Sequence, residues 1–236
     1  PAKANYATTR AIVRGWNSDF AGAVAKYREA LSYDVPGKYE FRHRMAQYLT
    51  EYALNKSMTH DVTDAIQFGI KEVQKSADEN PPDYLQHLYQ SRLNIMLGKN
   101  DPKSPYNDEA LKHSLHAIDI SPTFIRTYYE VAQGYLNKKD YASAISYFKK
   151  AAELNPDVGS SYWYWGATEV ERKNLDEGTR LIEEGLKKGY SPSEGELQRI
   201  IGLYLRKNDY GRLVYIYERL IASSPNNTQY RASLAG

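Results

Sequence analysis

Apolar residues return along this chain at helical spacing, in paired stripes separated by short polar breaks. Tyr128, Val131, Ala132 and Tyr135 form one stripe; Tyr141, Ala144, Ile145, Phe148 and Ala151 form the next. Asn137-Lys138-Lys139 interrupts them, and Asp140 is placed to cap the second helix, its carboxylate accepting from a free first-turn amide. Asn155-Pro156 ends it, because the proline ring removes a donor and disfavours helix at the residue before it. The segment predicts two helices joined by a tight turn.

The pattern recurs. Asp140-Tyr141, Ala144, Phe148 and Ala151 are followed 34 residues later by Asn174-Leu175, Gly178, Ile182 and Gly185. Ala110, Ala117 and Pro122 precede Ala144, Ala151 and Pro156 by the same interval. Asp19-Phe20, Ala23, Tyr27 and Ala30 repeat the spacing near the start, and Asp209-Tyr210, Leu213, Tyr217 and Leu220 near the end. Small residues such as Ala132, Gly166, Ala144 and Gly178 fall where two helix axes must approach, since a larger side chain there would open voids beside it. One hairpin cannot bury its own apolar face, so neighbours must stack.

Tyr128, Val131-Ala132, Tyr135, Asp140-Tyr141, Ala144, Phe148, Ala151 and Pro156 together carry nearly the full pattern of the tetratricopeptide repeat, and the sequence resembles that family. The resemblance implies an all-α fold, a right-handed superhelical α-solenoid of about six hairpins forming one continuous domain over residues 1–236. The units read as about 4–37, 38–83, 84–124, 125–158, 159–193 and 194–227, with a partial helix at 228–236. The second is stretched by residues 55–60 and the third by the Pro-bearing residues 99–105. In the sixth, Leu213 and Leu220 replace small residues, which predicts a wider or tilted crossing. In the partial helix, Leu234-Ala235 match Val131-Ala132 in register. No polar capping helix is visible in the sequence, so this end is either a truncated or short frayed helix, or an open face that stacks on another chain.

Composition narrows the setting. The 236 residues carry 31 basic and 29 acidic side chains, a formal charge of +2, which leaves no electrostatic footprint for nucleic acid. No stretch approaches the ~20 apolar residues of a membrane span. The lack of cysteine excludes disulfides, thiolate metal sites and a Cys nucleophile. Tyrosine outnumbers phenylalanine 22 to 5, a supply of aromatic surface with a polar tip.

Candidate chemistry is sparse. No nucleophile elbow, phosphate-binding loop, zinc-protease or dinucleotide motif occurs. Of the five histidines only His113 and His116 share a helix face, and they are expected on the outer, solvated surface; no metal or cofactor is expected. Tyr162-Trp163-Tyr164-Trp165 is the richest aromatic run. A helix turns about 100° per residue, so the four cannot share one face. Tyr162 and Trp165 match the core register of Tyr128 and Val131. By the family's geometry Trp163 then lines a concave groove with Tyr129, Gln133 and Gln198, and Leu88, Arg92 and Arg126 line it too. These residues are either a recognition surface, as Trp, Tyr and Arg favour interfaces, or, for Trp163 and Tyr129, packing between helices. Relatives that resemble chaperone co-factors clamp a peptide carboxylate with Lys and Asn; Thr8, Ile12, His43, Gln47, Tyr129 and Gln133 offer no such clamp here. Asn55-Lys56-Ser57 and Asn226-Asn227-Thr228 match the glycosylation acceptor pattern.

The expectation is a non-enzymatic scaffold whose partner is another protein or copies of itself. Two alternatives stand beside it: a subunit of an extracellular filament or tube, and groove-mediated peptide or glycan binding in cell-envelope polysaccharide assembly. Residues 5–11 and 39–46 also look similar to the repeat regions of bacterial O-antigen ligase-like proteins, which implies an extracytoplasmic location.

Overall fold

The computed structural model describes residues 1–223 and 225–235, without the side chains of residues 55, 223 and 233–235. Among these residues there are thirteen α-helices and no strand. They divide into two compact units, Pro1–Lys139 and Asp140–Gly236. The first holds α1 (Ala2–Trp16), α2 (Phe20–Ser32), α3 (Lys38–Asn55), α4 (His60–Glu79), α5 (Tyr84–Gly98), α6 (Pro105–Ile120) and α7 (Ile125–Asn137). The second holds α8 (Tyr141–Leu154), α9 (Gly159–Glu171), α10 (Leu175–Lys187), α11 (Glu194–Arg206), α12 (Tyr210–Ser223) and α13 (Thr228–Ala235). In α13, the side chains of Leu234 and Ala235, whose register match is described above, lie outside the described residues.

Packing is local in both units. In the first, each helix packs on the next in sequence, and α5 also packs on α3 and α7; in the second, α9 packs on α8, α10 and α11, and α12 on α10, α11 and α13. This nearest-neighbour order is how a helical-repeat solenoid buries a continuous core.

The cap expected at Asp140 forms, and Asp19 at the matching repeat position forms another. Asp19 accepts from the Gly22 amide (2.9 Å) and Asp140 from the Ser143 amide (3.1 Å), each satisfying a free first-turn donor. The residue before the second-helix cap is left-handed at four turns: Ser18 (φ 60°), Lys139 (60°), Lys173 (78°) and Asn208 (54°). At three of them the cap amide reaches back five residues, Asp19 to the Arg14 carbonyl, Asn174 to Glu169 and Asp209 to Tyr204 (2.9–3.1 Å). This closes the first helix with a Schellman pattern and aims the chain into the second.

Small residues set the crossings. Ala4, Ala7 and Ala11 of α1 and Ala23 and Ala30 of α2 have no exposed surface. Between α9 and α10 the backbones themselves meet. A Cβ on Gly166 would lie 2.7 Å from the Gly178 carbonyl oxygen and 2.8 Å from the Ile182 nitrogen; one on Gly185 would lie 2.7 Å from the Gly159 carbonyl oxygen. From α3 to α7 the first unit is held differently, by buried polar ties. Arg42 (4% exposed) on α3 donates to Ser76 (3.1 Å) and Glu79 (2.8 Å) on α4 and lies 3.5 Å from buried Glu72. Asn107 at the start of α6 donates to the Gly98 and Asp101 carbonyls and accepts from Asn137 of α7, which also donates to the Ile95 carbonyl.

Candidate functional site

The first unit contains an open cavity of about 320 Å³ where α1, α2 and α3 meet, lined by Ile12, Gly15, Trp16, Tyr27, Arg44, Gln47, Tyr48, Glu51 and Tyr52. Helical spacing builds it. Ile12 and Trp16 are one turn apart on α1; Arg44, Tyr48 and Tyr52 form a stripe on α3, and Gln47 and Glu51 lie beside them. Gly15 lets α1 come down on the Tyr48 ring, since a Cβ there would sit 2.7 Å from it. The rings brace one another: Phe20 stacks on Tyr52 (centroids 4.1 Å apart), and Tyr48 lies 5.8 Å from Tyr27 and 6.1 Å from Tyr52.

The walls are apolar and the rim is polar. Arg44 donates to Glu40 (2.7 Å) and Gln47 to Glu51 (3.0 Å), so both rim donors are held in place. Trp16 stands at the mouth, 79% exposed. Burial pushes the Tyr27 and Tyr48 hydroxyls up to about 12, so both stay protonated at physiological pH. The Tyr48 hydroxyl is buried without a hydrogen-bond partner. Rigid aromatics under a polar rim suit an apolar or aromatic side chain with its backbone in the rim.

The residues expected to line one groove fall into different settings. Arg126 is exposed on α7, with Tyr129 and Gln133 half-buried on the same helix. Gln133 donates to Asn137 (3.1 Å). Arg92 of α5 is committed to Glu130 of α7 (2.7 Å) and lies 5.8 Å from the Tyr89 ring; burial nevertheless raises the Glu130 carboxyl above its usual range. Leu88 is 2% exposed and belongs to the core. In the second unit, Gln198 is exposed on α11 and donates to Glu194 (3.2 Å).

Trp163 is the main correction: it is 1% exposed, packed beside Tyr190 (5.5 Å) in a core with Ile182, Leu197 and Ile200. The neighbouring Tyr162 and Trp165, expected in the core, are half-buried. The cause is that α9 is enclosed by α8, α10 and α11, so its deepest position is not the one the earlier repeat marks. A second correction concerns His113. His116 is exposed as expected, but His113 is 6% exposed and faces His87 of α5, Nδ1 to Nδ1 at 3.1 Å. Among the described residues no group of three His, Asp or Glu side chains is arranged to hold a metal. No helix is long and apolar enough to cross a membrane among the described residues. Of the two acceptor triplets, Asn226 is exposed, and the Asn55 side chain lies outside the described residues.

Stacked helical hairpins with capped, left-handed turns and small residues at the crossings are the architecture of tetratricopeptide repeats, and residues 125–158 match the family model for the tetratricopeptide repeat. Solved structures carry the same fold. PilF of Pseudomonas aeruginosa superposes with a TM-score of 0.58 at 15% identity, over 99% of this chain and 97% of that one. MamA (residues 41 to the end) from Desulfovibrio magneticus RS-1 gives 0.58 at 13% identity, over 80% and 96%. TTC0263, a thermophilic TPR protein of Thermus thermophilus, gives 0.54 at 11% identity, over 98% and 97%. At these identities the likeness is one of fold. No curated protein matches the sequence, and the similarity to O-antigen ligase-like proteins is not borne out.

Proposed function

We propose that this chain is a non-enzymatic scaffold that holds a partner protein by seating an apolar or aromatic side chain of it in the cavity between α1, α2 and α3. The cavity carries the proposal: Tyr27, Tyr48 and Tyr52 stand under a rim of Arg44, Gln47 and Glu51, with Trp16 exposed at the mouth. Recognition sites concentrate their binding energy in a few buried aromatic anchors ringed by polar contacts. The repeat fold supports the scaffold reading, because it offers a large surface and the sequence brings no cysteine, nucleophile elbow or phosphate-binding loop to it. A photo-crosslinking residue at Gln47 should capture a partner from its native extract, while the same residue at exposed Lys150 should not. Trp16→Ala should weaken that capture by about tenfold or more, the loss typical of an anchor worth over ~1.4 kcal/mol. Equal capture from both positions, or capture indifferent to Trp16, would refute the docking site.

A second reading, self-association, is favoured by apolar side chains left exposed near the start and end of the chain: Tyr6 (64%) on α1, and Tyr210 (60%) and Val214 (43%) on α12. Sedimentation equilibrium decides it. Association that Tyr210→Ser abolishes supports it, and a monomer at the highest attainable concentration removes it.

A further inference from the structure

His87 of α5 and His113 of α6 are both buried, 8% and 6% exposed, and face each other through their Nδ1 atoms at 3.1 Å, their rings stacked with centroids 5.4 Å apart. The hydrogen positions follow from the partners. His87 Nε2 lies 3.2 Å from the Pro81 carbonyl, which can only accept, so Nε2 carries a proton. Neutral His87 then presents a lone pair at Nδ1, and His113 must donate its Nδ1 proton to it. The one remaining basic nitrogen is His113 Nε2, 3.9 Å from the Glu109 carboxylate.

This arrangement admits one additional proton, at His113 Nε2. A second would put an N–H on His87 Nδ1 against the N–H of His113. The unfolded or separated rings can each take a proton, so parting α5 from α6 takes up protons that the closed pair refuses. We propose that the His87–His113 pair is an acid-sensitive latch between α5 and α6, closed while the pair carries at most one extra proton and opened as acidification drives a second onto it. It is independent of the cavity reading.

The neighbouring charges do not cancel the effect. Asp78 of α4 and Asp83, which caps α5, favour a proton on His87; His116, edge-on to it at 4.4 Å, opposes one. Around His113, Glu109 favours a proton, while Lys112, His87 and His116 oppose it. On α3, which also packs on α5, Tyr39 is bonded to Asp83 (2.6 Å) and His43 lies against Tyr89. On α7, Glu130 is tied to Arg92 further along the helix, with Arg126 nearby. Burial is the largest influence on both rings; it lowers His87 below 6.5 and brings His113 to about 4. With folded values below the unfolded one, the stabilisation is complete above pH 6.5 and is lost as pH falls toward 4.

Hydrogen exchange of the full chain, corrected for intrinsic rates, tests this. Between pH 7 and pH 5 the protection of α5 and α6 should fall roughly 20-fold, the linkage expected when one of the two rings is barred from a proton it takes near 6.5 once separated, with α9 and α10 changing far less. In His113→Asn the side-chain amide can offer its NH2 to a neutral His87 or turn its oxygen to a protonated one, so no ring is barred from its proton and the loss should be under about fivefold. Equal losses in the two proteins overturn the latch. Should the variant not fold, nitrogen-15 shifts of the wild-type histidine rings decide: both rings protonated while α5 and α6 stay protected overturns it, and at most one proton before protection is lost supports it.

Discussion

The α3–α7 part of the first unit and the α9–α10 pair of the second hold neighbouring helices together by opposite means. Between α9 and α10 almost nothing intervenes, and the glycine backbones touch. Between α3 and α4, and around α5, α6 and α7, buried Arg42, Asn107, Asn137, His87 and His113 bond across the gap. The glycine contact has no slack and no dependence on protonation. The polar contacts are directional, and each loses most of its value when one partner goes. A shared sequence pattern therefore fixes where helices meet without fixing what holds them there.

The largest effect should come from the polar side. Arg42→Ala removes the guanidinium from Ser76, Glu79 and Glu72, leaving Glu72 paired with Lys75 alone, and should cost about 3–4 kcal/mol in urea unfolding; a loss under about 1 kcal/mol would show that the polar ties are incidental. Gly166→Ala pushes a methyl into the Gly178 carbonyl and the Ile182 nitrogen, neither of which can rotate away, and should cost about 3 kcal/mol. Because that change already parts the helices, adding Gly178→Ala should cost much less than it does alone; strict additivity in the double-mutant cycle would contradict backbone contact. Asn107→Ala removes the ties to Gly98, Asp101 and Asn137 and should cost about 2 kcal/mol, read from the thermal midpoint. The smallest change is a gain. Lys173→Gly relieves a left-handed lysine and should stabilise by about 0.5–1 kcal/mol, whichever chemistry holds the neighbouring helices.

How much of this could be read in advance depended on the range of the interaction. Periodicity, the cap at Asp140 and the Gly166–Gly178 crossing are local or recur, so the sequence announced them. The burial of Trp163 was not legible, because a helix with neighbours on three sides has no single buried stripe for periodicity to mark. His113 was placed outside for a related reason: its partner, His87, lies 26 residues away on another helix, and no spacing rule links them. The cavity was half legible. Ile12 and Gln47 were already assigned to one face, and adding four to each gives Trp16 and Glu51. What the pattern withheld was that Tyr48 and Tyr52 turn toward Phe20 and Tyr27 and leave a hollow.

The four left-handed turn residues are Ser18, Lys139, Lys173 and Asn208, three chemistries in one backbone shape, all with exposed side chains. Main-chain bonds set the bend there, so identity at these sites is nearly free while geometry is not. Such corners tolerate dyes, tags or charge reversals that would wreck the helices on either side, which makes them natural attachment points for reporters of how neighbouring helices move.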